Sequence, residues 1–164
     1  MPLLGDWDYR SREGVLESDS GAWSLFRVPD HEVWHILSIW VEAEATATAG
    51  TRALALTILD DTDDRMYAAR PGATLTAGQQ RDFLFAPGLP DLTSFRDTDL
   101  LLTPIPAGLI LRPGWGLFIE YISGFDLVDD SDATSDIDTL TVQLIYASQA
   151  TLSTAGGTPQ TSDN

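Results

Sequence analysis

The sequence predicts an all-β fold, an antiparallel β-sandwich of jelly-roll type with about eight strands. Three observations predict it. Apolar and polar residues alternate with period two in run after run. The runs are short and end at Gly, Pro or Asp clusters that turn the chain. No segment repeats its apolar residues at helical spacing, although a short helical turn fits residues 92–96.

The clearest pattern lies in residues 105–146. Pro106-Ala107-Gly108 and Pro113-Gly114 bracket the apolar residues 109–111. Proline pre-sets a turn φ and glycine supplies a positive one, so the chain is expected to bend twice there. Beyond the second bend Trp115, Leu117, Ile119 and Tyr121 alternate with Gly116, Phe118, Glu120 and Ile122, as in an inner strand. In the last strand Leu140, Val142, Leu144 and Tyr146 form one face, and Thr139, Thr141, Gln143 and Ile145 the other.

Three regions are expected: an N-terminal arm at 1–20, a β-sandwich domain at 21–148 and a flexible tail at 149–164. The arm sets Trp7 and Tyr9 among Asp6, Asp8, Arg10, Arg12 and Glu13 with no sustained period, and reads as a segment that docks on its own sheet or on a neighbour. A strand at 22–28 turns at Pro29-Asp30 into the longest run, 32–47. There Trp34, Ile36, Ser38 and Trp40 lie on one face and Val33, His35, Leu37, Ile39 and Val41 on the other, so its first half is expected to be buried on both sides. Ala49-Gly50 leads into 51–59, and the two runs are expected to pair as a long hairpin. An Asp-rich tip at 60–64 precedes short strands at 65–69 and 81–86, and Leu100-Leu101-Leu102 is expected at a sheet edge. The small, polar tail cannot bury enough apolar surface to offset its ordering entropy. No internal repeat is present.

At 164 residues and 43% hydrophobic content the chain is sized for one substantial core. No apolar stretch approaches the ~20 residues of a membrane helix, and no secretory leader pattern opens the chain. With no cysteine, disulfides and thiolate metal sites are excluded. Net charge is −16, from 25 acids against nine basic residues, all arginine. A surface so acidic repels phosphate backbones, so neither nucleic acid nor membrane is expected as a partner.

Chemistry-bearing residues are few. His31 and His35 share a strand face but would stand about 13 Å apart at ~3.3 Å per residue, too far to hold one metal. Asp60, Asp61, Asp63 and Asp64 form one acidic cluster, and Asp129, Asp130, Asp132, Asp136 and Asp138 another. Either offers the hard oxygens calcium prefers, without the Asp-x-Asp-x-Asp-Gly spacing and distal Glu of a calcium loop. No Gly-x-Ser-x-Gly elbow or phosphate-cradling loop is present. Glu120 is the one acid set within a core-strand pattern, and an outward polar position accounts for it. Trp23, Trp34, Trp40 and Trp115 fall in strand patterns and are expected in the core, although exposed tryptophans would stack on sugar rings. No catalytic, cofactor-binding or metal residue is therefore assigned, and no enzyme activity is expected.

The run Ile-Pro-Ala-Gly-Leu-Ile-Leu-Arg-Pro-Gly-Trp-Gly-Leu-Phe-Ile at 105–119, followed by an Asp-rich loop and a closing strand from Asp138, resembles small virion proteins of tailed bacteriophages. In layout the resemblance spans about residues 22–147. It implies a jelly-roll capsid decoration, or cement, protein, or a related head or tail accessory protein, that assembles as a homotrimer on the virion. The implied partner is the major capsid protein, the implied location the capsid surface, and the site of synthesis the host cytoplasm. It carries over no catalytic residues. Capsid contact is expected from residues 1–20 and the loops at one end of the sandwich. Two other classes fit the same residues: a carbohydrate-binding or fibre-like receptor-binding module, and a cupin-like enzyme, which would need a bound metal.

Overall fold

The computed structural model describes residues 3–17, 24–47, 50–94, 99–121 and 139–151. Twelve strands run through them and no helix: β1 (Leu3–Glu17), β2 (Ser24–Arg27), β3 (Glu32–Glu44), β4 (Thr51–Arg52), β5 (Leu54–Leu59), β6 (Arg65–Ala69), β7 (Leu75–Thr76), β8 (Gln80–Pro87), β9 (Leu100–Ile105), β10 (Ile110–Leu111), β11 (Gly116–Tyr121) and β12 (Thr139–Thr151). The larger sheet has the order β1-β12-β3-β8-β9, and the smaller β2-β11-β5-β6.

Eight of these strands make the sandwich. They pair antiparallel in nested couples, β1 with β12, β2 with β11, β3 with β8 and β5 with β6. A ribbon of nested pairs that alternates between two sheets is the jelly-roll wrap, in which only the innermost pair, β5 and β6, is a hairpin within one sheet. The other four strands are additions. β9 extends the larger sheet by a parallel pairing with β8, β4 pairs β7, and β10 takes the part of β3's edge, at Trp34 and His35, that β8 leaves open. The corners that place β10 are the expected ones, with Gly108 at φ 76° and Gly114 at φ 79°.

Side chains from both sheets meet in one core, with Ile36, Val41, Phe83 and Leu144 from the larger and Leu56, Ile58, Leu117 and Ile119 from the smaller. The last strand follows its sequence pattern, with Leu140, Val142, Leu144 and Tyr146 all buried.

β3 does not keep the expected faces. Ile145 pairs with Ser38 and Tyr146 with Ile36, so Leu37 is an extra residue on β3. An extra residue reverses which parity faces the core. Trp34 and Ile36 are buried before it, Ile39, Val41 and Ala43 after it. The two apolar faces of this run are thus one core face carried across a bulge, and Trp40 lies half-buried outside it.

The expected hairpin between 32–47 and 51–59 is also replaced, because β3 and β5 lie in different sheets. β3 has both edges occupied, by β12 along one and by β8 and β10 along the other. Buried Arg52 ties Gly50 to Thr46 beside the end of β3, its guanidinium donating to the Gly50 carbonyl at 3.3 Å and to Thr46 Oγ1 at 3.1 Å.

Residues 3–17, expected within an arm, form β1, which runs the length of β12. β12 continues to Thr151, three residues past the expected boundary at 148. The rest of the expected tail, the helical turn beyond residue 94 and the second acidic cluster lie outside the described residues.

Candidate docking face

Directly opposed residues in a sheet share a face, so the register of the larger sheet reads out its outer surface row by row. One row runs Tyr9, Ala147, His35, Ile110 across β1, β12, β3 and β10. The Trp7 ring packs edge-on against His35, with centroids 5.9 Å apart, and so belongs to this row. Next comes Ser11, Ile145, Ser38, and then Glu13, Gln143, Trp40, Leu84. The row beyond brings Glu42 opposite Asp82.

The first two rows carry exposed apolar side chains set among His35, Ser11 and Ser38. Tyr9 is 74% exposed, Ile110 45% and Ile145 40%, and Met66, on β6 of the smaller sheet, is the only other large hydrophobic so exposed among the described residues. Large exposed apolar side chains collected on one face of a monomer mark a surface that meets something. At the far end the face turns acidic. The carboxyl of Asp82 is held above its ordinary range by partial burial and by the nearby charges of Glu42 and Asp99. Arg81 pairs with Asp99 at 2.7 Å beside it.

The edge of this face is braced from beneath. Arg10 pairs with Asp8 at 2.9 Å and with Glu32 at 3.2 Å. The other oxygen of Glu32 accepts from Trp34 Nε1 at 2.6 Å. Trp34 in turn lies on Tyr146, ring centroids 4.3 Å apart. This network ties β1 to the buried corner of the core and positions Trp7 and Tyr9 on the outer side of the same strand.

The other candidate residues separate. His31 sits in an exposed turn and His35 on the outer face against Trp7, so the two imidazoles do not converge. Asp60 is engaged by its own loop: its Oδ1 accepts from the Thr62 hydroxyl and the Thr62 amide, both at 2.8 Å, and from the Asp64 amide at 2.9 Å. The Thr62 hydroxyl, followed by the Asp64 amide, holds this carboxyl below its usual range. Asp63 reaches Arg27 at 2.6 Å. The first acidic cluster is thus an Asx-type turn pinned to β2. Among the described residues no three His, Cys, Asp or Glu side chains gather as metal ligands. Glu120 lies in β11 opposite Ala55, its side chain outside the described set. Of the four tryptophans expected in the core, Trp34 is fully buried and Trp115 packs against the core. Trp40 faces outward and Trp23 lies outside the described residues.

Sequence reading missed the face because the bulge at Leu37 hides its parity and because Tyr9 and Ile110 come together only through β12 and β3. The hint available was Ile145, the apolar residue on the otherwise polar side of β12.

No protein-family model matches the chain, and no curated protein matches it. Among solved structures it is similar to a chain of the nora virus structure, at 12% identity over 88% of this chain and 57% of that one, TM-score 0.33. It is also similar to a chain of the T13 IBDV viral particle, at 14% identity over 92% of this chain and 40% of that one, TM-score 0.29. A third, from the infectious bursal disease virus Gx strain, has 12% identity over 89% and 41%, TM-score 0.30. The chain spans 57% or less of each of these.

Proposed function

We propose that this chain is a structural virion protein, a decoration or cement protein that binds the outer surface of a phage head through the outer face of its larger sheet. The observation that carries the reading is the gathering of Tyr9, Ile110 and Ile145 on one open face of a strongly acidic sandwich. The resemblance of residues 105–144 to phage virion proteins supports it, and the jelly-roll wrap is compatible with it, since that architecture recurs in capsid domains as well as in lectins and cupins. In this reading the chain is made in the host cytoplasm, performs no catalysis and takes the major capsid protein as its partner. It acts by mass action: a protein that binds only the assembled shell stabilises that shell in proportion to its occupancy.

Co-sedimentation with assembled coat-protein shells tests the proposal. Saturable binding that raises the temperature of shell disruption supports it, and failure to bind shells of its own phage contradicts it. Exposure of the Tyr9 ring beside Trp7 favours one second reading, a carbohydrate-binding module, which a glycan titration with tryptophan fluorescence would reveal.

A further inference from the structure

β1 ends the larger sheet, and among the described residues nothing pairs along its far side. A long open edge is a template for another strand, and charged side chains usually guard it. Here the order of the charges does something more specific. The segment reads Asp6-Trp7-Asp8-Tyr9-Arg10-Ser11-Arg12, acids on one side of Tyr9 and arginines on the other at matching intervals. From these observations we propose that β1 is a self-recognition edge, pairing antiparallel with β1 of a second copy about a two-fold axis at Tyr9.

In that register Asp8 lies opposite Arg10 of the second copy and Tyr9 opposite Tyr9, and the Asp8–Arg10 match occurs twice by symmetry, beside the pair these side chains already make within one chain. Asp6 falls in the irregular stretch of β1 between Leu4 and Asp8 and Arg12 stacks on Trp34, so neither enters the match. The neighbouring registers lose this. Moving the axis to Asp8 sets Asp8 against Asp8, moving it to Arg10 sets Arg10 against Arg10, and moving it to Ser11 sets Arg10 against Arg12 twice. The charges thus oppose general edge pairing while favouring one alignment. The pairing would also join the outer rows of two copies, Ile110-His35-Ala147-Tyr9 continuing into Tyr9-Ala147-His35-Ile110, and double the apolar face. It is two-fold, where the family resemblance implies a trimer, and it stands whether or not the face meets a capsid.

The natural absence of cysteine makes the test direct. Tyr9 is exposed, so Tyr9→Cys leaves the core intact. Opposed residues in an antiparallel pair lie about 4.5–5.5 Å apart at Cα, within disulfide reach. Ser11→Cys, exposed on the same strand, would stand about 13 Å from its symmetry mate. Mild oxidation should link the Tyr9→Cys protein into covalent dimers and leave the Ser11→Cys protein unlinked. Equal linking at both positions, or none at position 9, overturns the register. Sedimentation equilibrium of the unmodified chain should show a monomer–dimer equilibrium, weakened about tenfold by Asp8→Arg. A chain monomeric at every concentration, or one that dimerises as tightly after Asp8→Arg, overturns the proposal.

Discussion

The Arg12 guanidinium lies 4.7 Å from the centroid of the fully buried Trp34 ring, so a charged side chain of the edge strand closes one corner of the core. It also stands 5.9 Å from the Tyr146 ring. Cation–π contacts of partly desolvated groups contribute about 1 kcal/mol. Arg12→Ala should therefore lower stability by about 1 kcal/mol, or about 3 °C in melting temperature, measured by urea and thermal unfolding.

The bulge at Leu37 makes a sharper claim, because it assigns adjacent residues to opposite faces. Ile39→Ala should cost about 2–5 kcal/mol, as for a fully buried aliphatic residue. Trp40→Ser should cost less despite the larger side chain lost, since Trp40 is only half-buried on the outer face. Denaturant midpoints of the two variants decide the matter, and the opposite ranking would place the bulge elsewhere.

Asp82 and Asp60 should respond to pH with opposite signs. The Asp82 carboxyl is held above its ordinary range by partial burial, Glu42 and Asp99, so the folded state binds its proton more tightly than the unfolded chain does. Stability from this group then falls as pH rises from the ordinary aspartate range through the raised one. Asp82→Asn should melt above the unmodified protein at neutral pH, with the gap closing near pH 3, below about the Asp range.

Asp60 is held below its usual range, by the Thr62 hydroxyl first and then the Asp64 amide. Its contribution is complete above the unfolded value and disappears as pH falls through the lowered one. Asp60→Ala should lower the melting temperature at neutral pH and make little difference in strong acid, a comparison made by calorimetry across a pH series.

The all-β class, the strand at 139–146 and the corners at Gly108 and Gly114 were legible because they rest on local alternation and turn chemistry. Pairing was not. Period two says which residues share a face only while no residue is inserted, and Leu37 inserts one without any local mark. The expected hairpin failed for a related reason: Ala49-Gly50 signals that the chain turns, but not whether it turns within a sheet or crosses to the other. β1 escaped notice because its core-side residues, Arg10 and Arg12, are charged. Arg12 covers the core by stacking on Trp34, and Arg10 pairs with Glu32 at its exposed rim, which no hydrophobic pattern records. The candidate face depends on all three of these features.

The central claim is that the outer face of the larger sheet is where the protein meets its shell, and binding of coat-protein shells by an Ile110→Ser, Ile145→Ser double variant tests it most directly. Both side chains are exposed and Tyr9 stays in place, so the core is left intact. The account predicts at least about a tenfold loss of affinity in a variant that still unfolds cooperatively, its melting temperature lowered by only about a few degrees. Affinity equal to that of the unmodified protein would contradict it.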